Sequence, residues 1–465
     1  MTSVETHSSE LRKELGLRDL VLQQIVYVVG TIWVGTAAKL GHQHFAFWMA
    51  AIVLFYLPQA AVVIDLTGRM PLEGGLYQWA RLGLSELMGF MVAWNLWIYA
   101  VVLIATIGLV VGTNLSYVVG VGGEWLASNK IFLMALNIFL IVGLMLLAVR
   151  GLWLSKWLVN ISSIGYMTAF AVMIALPFVH RSGTLPDAHP FAIAMPAFTL
   201  LSLNIFGKMA MGALSGFEYV AVLAGETKDA GRSIGKATLI AVPIIAAMFL
   251  LGTSAVLAFV PMDKINLIGP IPQVLSVGLG GLGIGPIAAG MAILLITGRT
   301  LANMSIALTA TSRMPMVAGW DNLLPSWFAE LHRKYRTPVN SILFVGLVAL
   351  AFGAAGIAGV GEQEAFQLLE NAAGIFYGLT YLVMFAIPLI GLRDAASPPS
   401  LFLRLAAASG FLVTLLYVIL SIFPIIDVES WTSFAVKISS VVVGLNLAGA
   451  ALFYNARRRR SVVVA

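Results

Sequence analysis

The residues able to do chemistry gather in two short stretches and at four charged positions. The stretches read Val29-Gly30-Thr31-Ile32-Trp33-Val34-Gly35-Thr36 and Met211-Gly212-Ala213-Leu214-Ser215-Gly216-Phe217-Glu218. Each places glycine beside small or hydroxyl residues within an apolar run, where a helix is able to open. An opened helix frees N–H groups at one end, which favour a carboxylate, and carbonyls at the other, which favour an ammonium. The pair suits the zwitterion of an α-amino acid. The same glycines also suit plain close packing between membrane helices, and by themselves they leave both readings open. The charges are Lys208, Glu218, Arg299 and Glu370, each inside an otherwise apolar run. A charge at the bilayer centre costs about 2.5–3.5 kcal/mol on insertion scales, so all four are expected to face protein or a cavity.

The elements that must hold these residues are membrane spans. Of 465 residues, 60% are hydrophobic and 10% are charged, against about 25% charged in soluble domains. That balance excludes a soluble enzyme, a coiled coil and a disordered regulator. Apolar runs predict about twelve spans, near 20–40, 45–67, 86–112, 130–149, 157–178, 200–223, 237–259, 286–312, 339–357, 365–390, 403–423 and 431–454. The fold class is therefore an all-α membrane protein. Its expected organisation is an N-terminal cytoplasmic segment (1–19), a core (20–390), two further helices (403–454) and a basic cytoplasmic tail (455–465). With both termini in the cytoplasm, inner segments hold 20 of the 27 Lys and Arg residues and outer segments about five. This asymmetry orients the chain in the cell membrane and accounts for the net charge of +6 without a nucleic-acid partner. Cysteine is absent, which excludes disulfides and thiolate chemistry. His42 and His44 have no metal-ligand spacing, so neither a metal nor a cofactor is expected, and no catalytic triad marks an enzyme. Gly278, Gly280 and Gly283 form a GxGxxG-like string that follows no soluble strand and is expected to be a flexible lead into span eight.

Counted along the chain, the two glycine stretches fall in the first spans of two five-span units, about 20–178 and 200–390. Matching interruptions of this kind mark inverted-repeat transporters with a midplane site. Three blocks then carry a resemblance. Pro71-Leu72-Glu73-Gly74-Gly75-Leu76-Tyr77 is followed by Gly89-Phe90 and Trp94. Ser215-Gly216-Phe217-Glu218 is followed by Ala224-Gly225-Glu226-Thr227-Lys228-Asp229 and Arg232. Ser312-Arg313 precedes Asp321-Asn322-Leu323-Leu324-Pro325, His332 and Arg336-Thr337-Pro338. In order and spacing the chain resembles the amino acid–polyamine–organocation permeases, of the bacterial amino acid permease type with a LeuT-like fold.

The resemblance implies a 5+5 inverted repeat with helices 1 and 6 broken, and alternating-access transport of an amino acid or amine by proton coupling or exchange. It also implies that the substrate's ammonium meets carbonyls near Ile32, Leu214 and Ser215, and its carboxylate meets amides near Gly35 and Thr36. Trp33, Val34, Gly216 and Phe217 complete that lining, and Glu218 takes a gating, proton-linked role; its alternative is a fixed carboxylate hydrogen-bonded to span one or ten. The runner-up substrate class is acidic amino acids or their decarboxylation products, prompted by Arg299 and Lys208; a channel or transport-inactive receptor on the same scaffold is more distant. The chain departs from the family in three places. Val34-Gly35-Thr36 stands where Gly-Ser/Ala-Gly is usual, and Gly212 stands where an aromatic gate is common, so that either Phe206, Phe217 or Trp33 supplies one or the pocket is larger and suits a bulkier side chain. A fifth-span lysine found in some relatives aligns near Tyr166. Sodium coupling through Ser162 or Ser163 with Ser305 or Thr309 is poorly supported, because helix hydroxyls usually bond back to their own turn. Arg299 either grips a substrate carboxylate or pairs with Glu370 to lock scaffold helices. Lys208 is expected to snorkel toward the membrane interface.

Overall fold

Inside a bilayer, runs this apolar satisfy their own backbone amides only as helices. The computed structural model describes residues 16–70, 75–150, 153–179, 191–218, 230–281, 283–317, 326–328, 330–333, 335, 337–358, 360–390 and 398–464, and every regular element among them is helical. Residues 71–74, 224–229, 321–325 and 336 of the three sequence blocks, and the Ser162 side chain, lie outside the described residues. Among those described, nine helical stretches are long and apolar enough to cross a membrane. The predicted run near 157–178 lies within one helix, Trp153–Val179, while the run near 20–40 and the described part of the run near 200–223 fall on shorter or interrupted helices.

The elements used below are α1 (Leu17–Val28), α2 (Trp33–Ala38), α3 (His44–Ala51), α4 (Leu57–Arg69), α5 (Ile107–Val119) and α6 (Lys130–Arg150). They continue with α7 (Trp153–Val179), α8 (Leu200–Gly207), α9 (Ala230–Phe259), α10 (Pro270–Gly280) and α11 (Gly285–Val317). The last are α12 (Val339–Ile357), α13 (Glu362–Ile390) and α14 (Leu401–Leu420). Two π-helical segments, Ile52–Tyr56 and Lys208–Ala213, interrupt the second and sixth spans.

The chain divides into two compact units. The first comprises Met1–Asn95, Ala192–Leu251 and Tyr377–Ser421. In it, α14 packs on α4, α8 and both π segments. Trp48 stacks on Phe249 with ring centroids 4.7 Å apart, and Gln24 Nε2 donates to Thr238 Oγ1 at 2.9 Å, tying α1 to α9. A π turn leaves carbonyls without their usual i+4 donors. The Leu54 carbonyl of the first π segment accepts the Ser409 hydroxyl at 2.6 Å instead.

The second unit comprises Leu96–Phe191, Gly252–Phe376 and Ile422–Ala465. Here α7 packs on α11, and α6 packs on α12. Buried amides cross-link its helices. Asn137 Oδ1 accepts the Gly108 N–H at 3.0 Å, and Asn114 Nδ2 donates to Thr297 Oγ1 at 3.0 Å.

Two sequence expectations are corrected here. Lys208 does not snorkel: it is 4% exposed, because the π segment that carries it is covered by α2, α3 and α14 and by the other π segment. Two of the three glycines of the string belong to a helix rather than to a lead into span eight. Gly278 and Gly280 close α10, which a proline starts at its first turn, and Gly278 lies against Leu176 and Phe259.

Candidate functional site

The site residues of the first unit gather at two helix breaks. The first break comprises residues 29–32, between the end of α1 and the start of α2. The Ile32 carbonyl accepts the N–H groups of Gly35 and Thr36 at 3.1 Å each, and the Thr36 hydroxyl at 3.4 Å. Gly35 and Thr36, expected to offer amides to a carboxylate, thus spend them on the first turn of α2, and the Ile32 carbonyl is spent as well. The N–H groups of Trp33 and Val34 meet no acceptor among the described residues. The opening therefore lies one turn earlier than the glycine spacing suggested.

The second break follows the second π segment. Leu214 ends the helical run, Ser215 and Gly216 are non-helical, and Gly216 has φ +121°. That conformation is strained for any residue with a Cβ. Gly216→Ala is expected to cost about 1–3 kcal/mol at this position. A fall in melting temperature of the purified protein checks this, and an unchanged melting curve would show that the break relaxes freely.

Trp33 joins the two breaks. A Cβ on Gly212 would lie 2.4 Å from Trp33 Cη2, and one on Gly30 would lie 2.8 Å from Trp33 Cδ1. The indole thus occupies the space in front of Gly212, where the sequence comparison missed an aromatic on the sixth span. The other two gate candidates are engaged elsewhere: Phe206 packs near Phe47, and Phe217 stacks on Tyr56 at 4.7 Å. Trp33 and Gly212 are both half-buried, whereas Val34, Leu214 and Phe217 are buried.

Glu218 is 4% exposed and meets the hydroxyls of Tyr377 and Tyr381 from α13. Its side-chain hydrogen-bond partners among the described residues thus come from span ten. The Tyr381 oxygen also accepts the Gly216 N–H at 2.8 Å and lies 2.7 Å from the side-chain amide of Gln59 on α4. Sequence reasoning missed Gln59, Tyr377 and Tyr381. The available signals were a lone glutamine in an apolar run and two tyrosines at i,i+4 spacing, which share one helix face.

In the second unit, Arg299 of α11 is 6% exposed and its Cζ lies 3.7 Å from the centre of the Tyr166 ring on α7. The cation lacking at position 166 itself therefore sits on that residue's ring. Glu370 is half-buried in α13. The Thr309 hydroxyl donates to the Ser305 carbonyl at 2.8 Å, within its own helix. A buried cation–π contact is worth about 2 kcal/mol and depends on the planar guanidinium. Arg299→Lys is therefore expected to destabilise the protein more than Tyr166→Phe, which keeps the ring. Melting temperatures of the two variants check this, and the reverse order would remove the stacking role.

Comparisons with known proteins agree on class. The family described as amino acid permease matches residues 20–445. An uncharacterized transporter of Legionella pneumophila is 27% identical over 81% of this chain and 80% of its own length. A branched-chain amino acid permease of Bacillus subtilis is 22% identical over 78% of this chain and 80% of its own. Among solved structures, that of MhsT in complex with L-phenylalanine superposes with a TM-score of 0.62 at 14% identity, covering 86% of this chain and 97% of the other. The last likeness shows a shared fold.

Proposed function

We propose that this chain, which belongs to the amino acid permease family, is a secondary active transporter that moves an amino acid or related amine by alternating access, coupled to protons or to exchange. The observation that carries this is the pair of helix breaks at residues 29–32 and 215–217, joined by Trp33 and flanked by the buried carboxyl group of Glu218. Breaks in buried helices leave backbone dipoles to serve a ligand in place of water. The ammonium goes to the Leu214 end, where the π segment terminates. The carboxylate goes to the open start of α2, at Trp33 and Val34. The branched-chain amino acid permease relative is named for apolar amino acids, which favours such a side chain here.

The protein lies in the cell membrane with both termini cytoplasmic, its twelve spans arranged as two inverted five-helix repeats plus two. Counterflow into proteoliposomes is the test, with labelled leucine, phenylalanine, glutamate and putrescine in separate arms. Accumulation of leucine or phenylalanine is expected. Accumulation of glutamate alone would replace the substrate class with the acidic one, and no accumulation in any arm would overturn the transporter assignment.

A further inference from the structure

Span two meets the sixth-span break with three side chains. Phe55 stacks on Tyr381 with ring centroids 6.0 Å apart, Tyr56 stacks on Phe217 at 4.7 Å, and Gln59 follows one turn later, near the start of α4. All of these residues are buried, as is Leu214, so water does not satisfy polar atoms left open among them. The Gln59 amide must be matched by protein.

Its neighbours fix which end is oxygen. The N–H groups of Gly216 and Phe217 face one end of the amide, and the Leu214 carbonyl faces the other. Only one assignment suits both: Oε1 accepts from Gly216 and Phe217 at 3.3 Å each and faces the Tyr381 hydroxyl at 2.7 Å, while Nε2 donates to the Leu214 carbonyl at 2.9 Å. The reverse sets an NH₂ against two N–H donors and an oxygen against a carbonyl. The Gly216 N–H is shared with the Tyr381 oxygen, 2.8 Å away.

Where a helix opens, N–H and C=O groups on either side lose their usual partners along the chain. A side-chain amide carries the same donor and acceptor as a peptide group. Here it reaches a carbonyl on one side of the break, at Leu214, and the N–H groups of Gly216 and Phe217 on the other. It bonds both sides at once. A carbonyl oxygen has two lone pairs, so the one at Leu214 keeps the second for a ligand. The helix that carries Gln59 is itself packed on α14, which gives the amide a braced support.

We propose that Gln59 is a positioning residue whose amide replaces the helical bonds lost at the sixth-span break and holds the Leu214 carbonyl so that its second lone pair meets the substrate ammonium. This rests on the transporter assignment above. It gives the ammonium end of that site to a side chain that acts through the backbone without touching the substrate.

Leucine counterflow and hydrogen–deuterium exchange of the full-length protein in lipid vesicles test this. Gln59→Met keeps the length of the side chain and removes both bonding atoms. Its KM for leucine is expected to rise about tenfold while the maximal rate changes less than about twofold. Amides of the peptide containing residues 214–217 should exchange about tenfold faster. Gln59→Glu restores the pattern when protonated, because its hydroxyl donates to Leu214 and its carbonyl oxygen accepts from Gly216 and Phe217. In acidic buffer, with the wild type measured alongside, this variant should keep the wild-type KM and exchange. An unchanged KM in Gln59→Met overturns the proposal, and so does a Gln59→Glu protein no better than Gln59→Met in acid. Faster exchange throughout the first unit would mark general loosening and overturns it too. Exchange needs no transport: if wild-type counterflow fails with every substrate, the transporter assignment falls and the exchange pattern still tests the bridge. If counterflow succeeds and exchange in Gln59→Met is unchanged, the bridge alone falls.

Discussion

Gly212→Ala is expected to lower counterflow by one to two orders of magnitude, and Trp33→Ala added to it is expected to restore most of that loss. The new Cβ would sit 2.4 Å from the indole, inside contact distance of a rigid bicyclic group that also lies against Gly30. Trp33 cannot slide away along Gly30, because a position with space only for hydrogen holds it there too. Overpacking of this kind costs about 1–3 kcal/mol, and each 1.4 kcal/mol is about tenfold in a rate. Shortening Trp33 removes the clash at its source, so the double variant should recover while Trp33→Ala alone loses substrate discrimination. Initial rates of leucine and phenylalanine counterflow for the three variants check this. If Gly212→Ala transports normally, the indole is not held against the sixth span during transport. If the double variant stays as slow as the single one, the loss has another cause.

Glu218→Gln is expected to transport at one rate across the pH range, about tenfold below the wild-type maximum. The amide keeps the shape of the carboxyl group but neither ionises nor releases a proton, and its N–H groups donate to Tyr381 as a protonated carboxyl does. The variant is thus fixed in the protonated pattern. The wild-type rate changes with pH as Glu218 ionises, and the variant has no group there to ionise. Counterflow measured across the pH range compares the two profiles. A variant profile that still changes with pH would assign the titration to another group and leave Glu218 as a fixed structural acceptor.

Much of the architecture was legible before any coordinates. Apolar run length compared with bilayer thickness placed helices where helices are found, and the amino acid permease match spans the core that those runs outlined. The two breaks were legible because glycine and hydroxyl residues inside apolar runs are costly unless a helix opens there. Their registers were less legible. At the first break, Ile32 gathers three donors from Gly35 and Thr36, and that capping depends on which turn re-forms first, a matter of local energetics rather than composition.

The charged positions divide along the same line. That Glu218 and Arg299 would be enclosed by protein follows from one sequence and the price of charge in hydrocarbon, whereas Lys208 was expected to snorkel and is buried. Their partners were not available in the same way. Tyr377 and Tyr381 lie about 160 residues from Glu218, Arg299 lies far along the chain from Tyr166, and Gln59 lies further still from Tyr381. The sequence by itself determined the class of protein, most of its spans and the two stretches within which a helix opens, because these depend on the solubility of short segments in a bilayer. Only the tertiary structure decided that Trp33 fills the space before Gly212 and that Gln59 joins Tyr381 to Leu214. Such contacts arise from close packing of distant segments, and packing is set by shapes that meet only when the chain has folded.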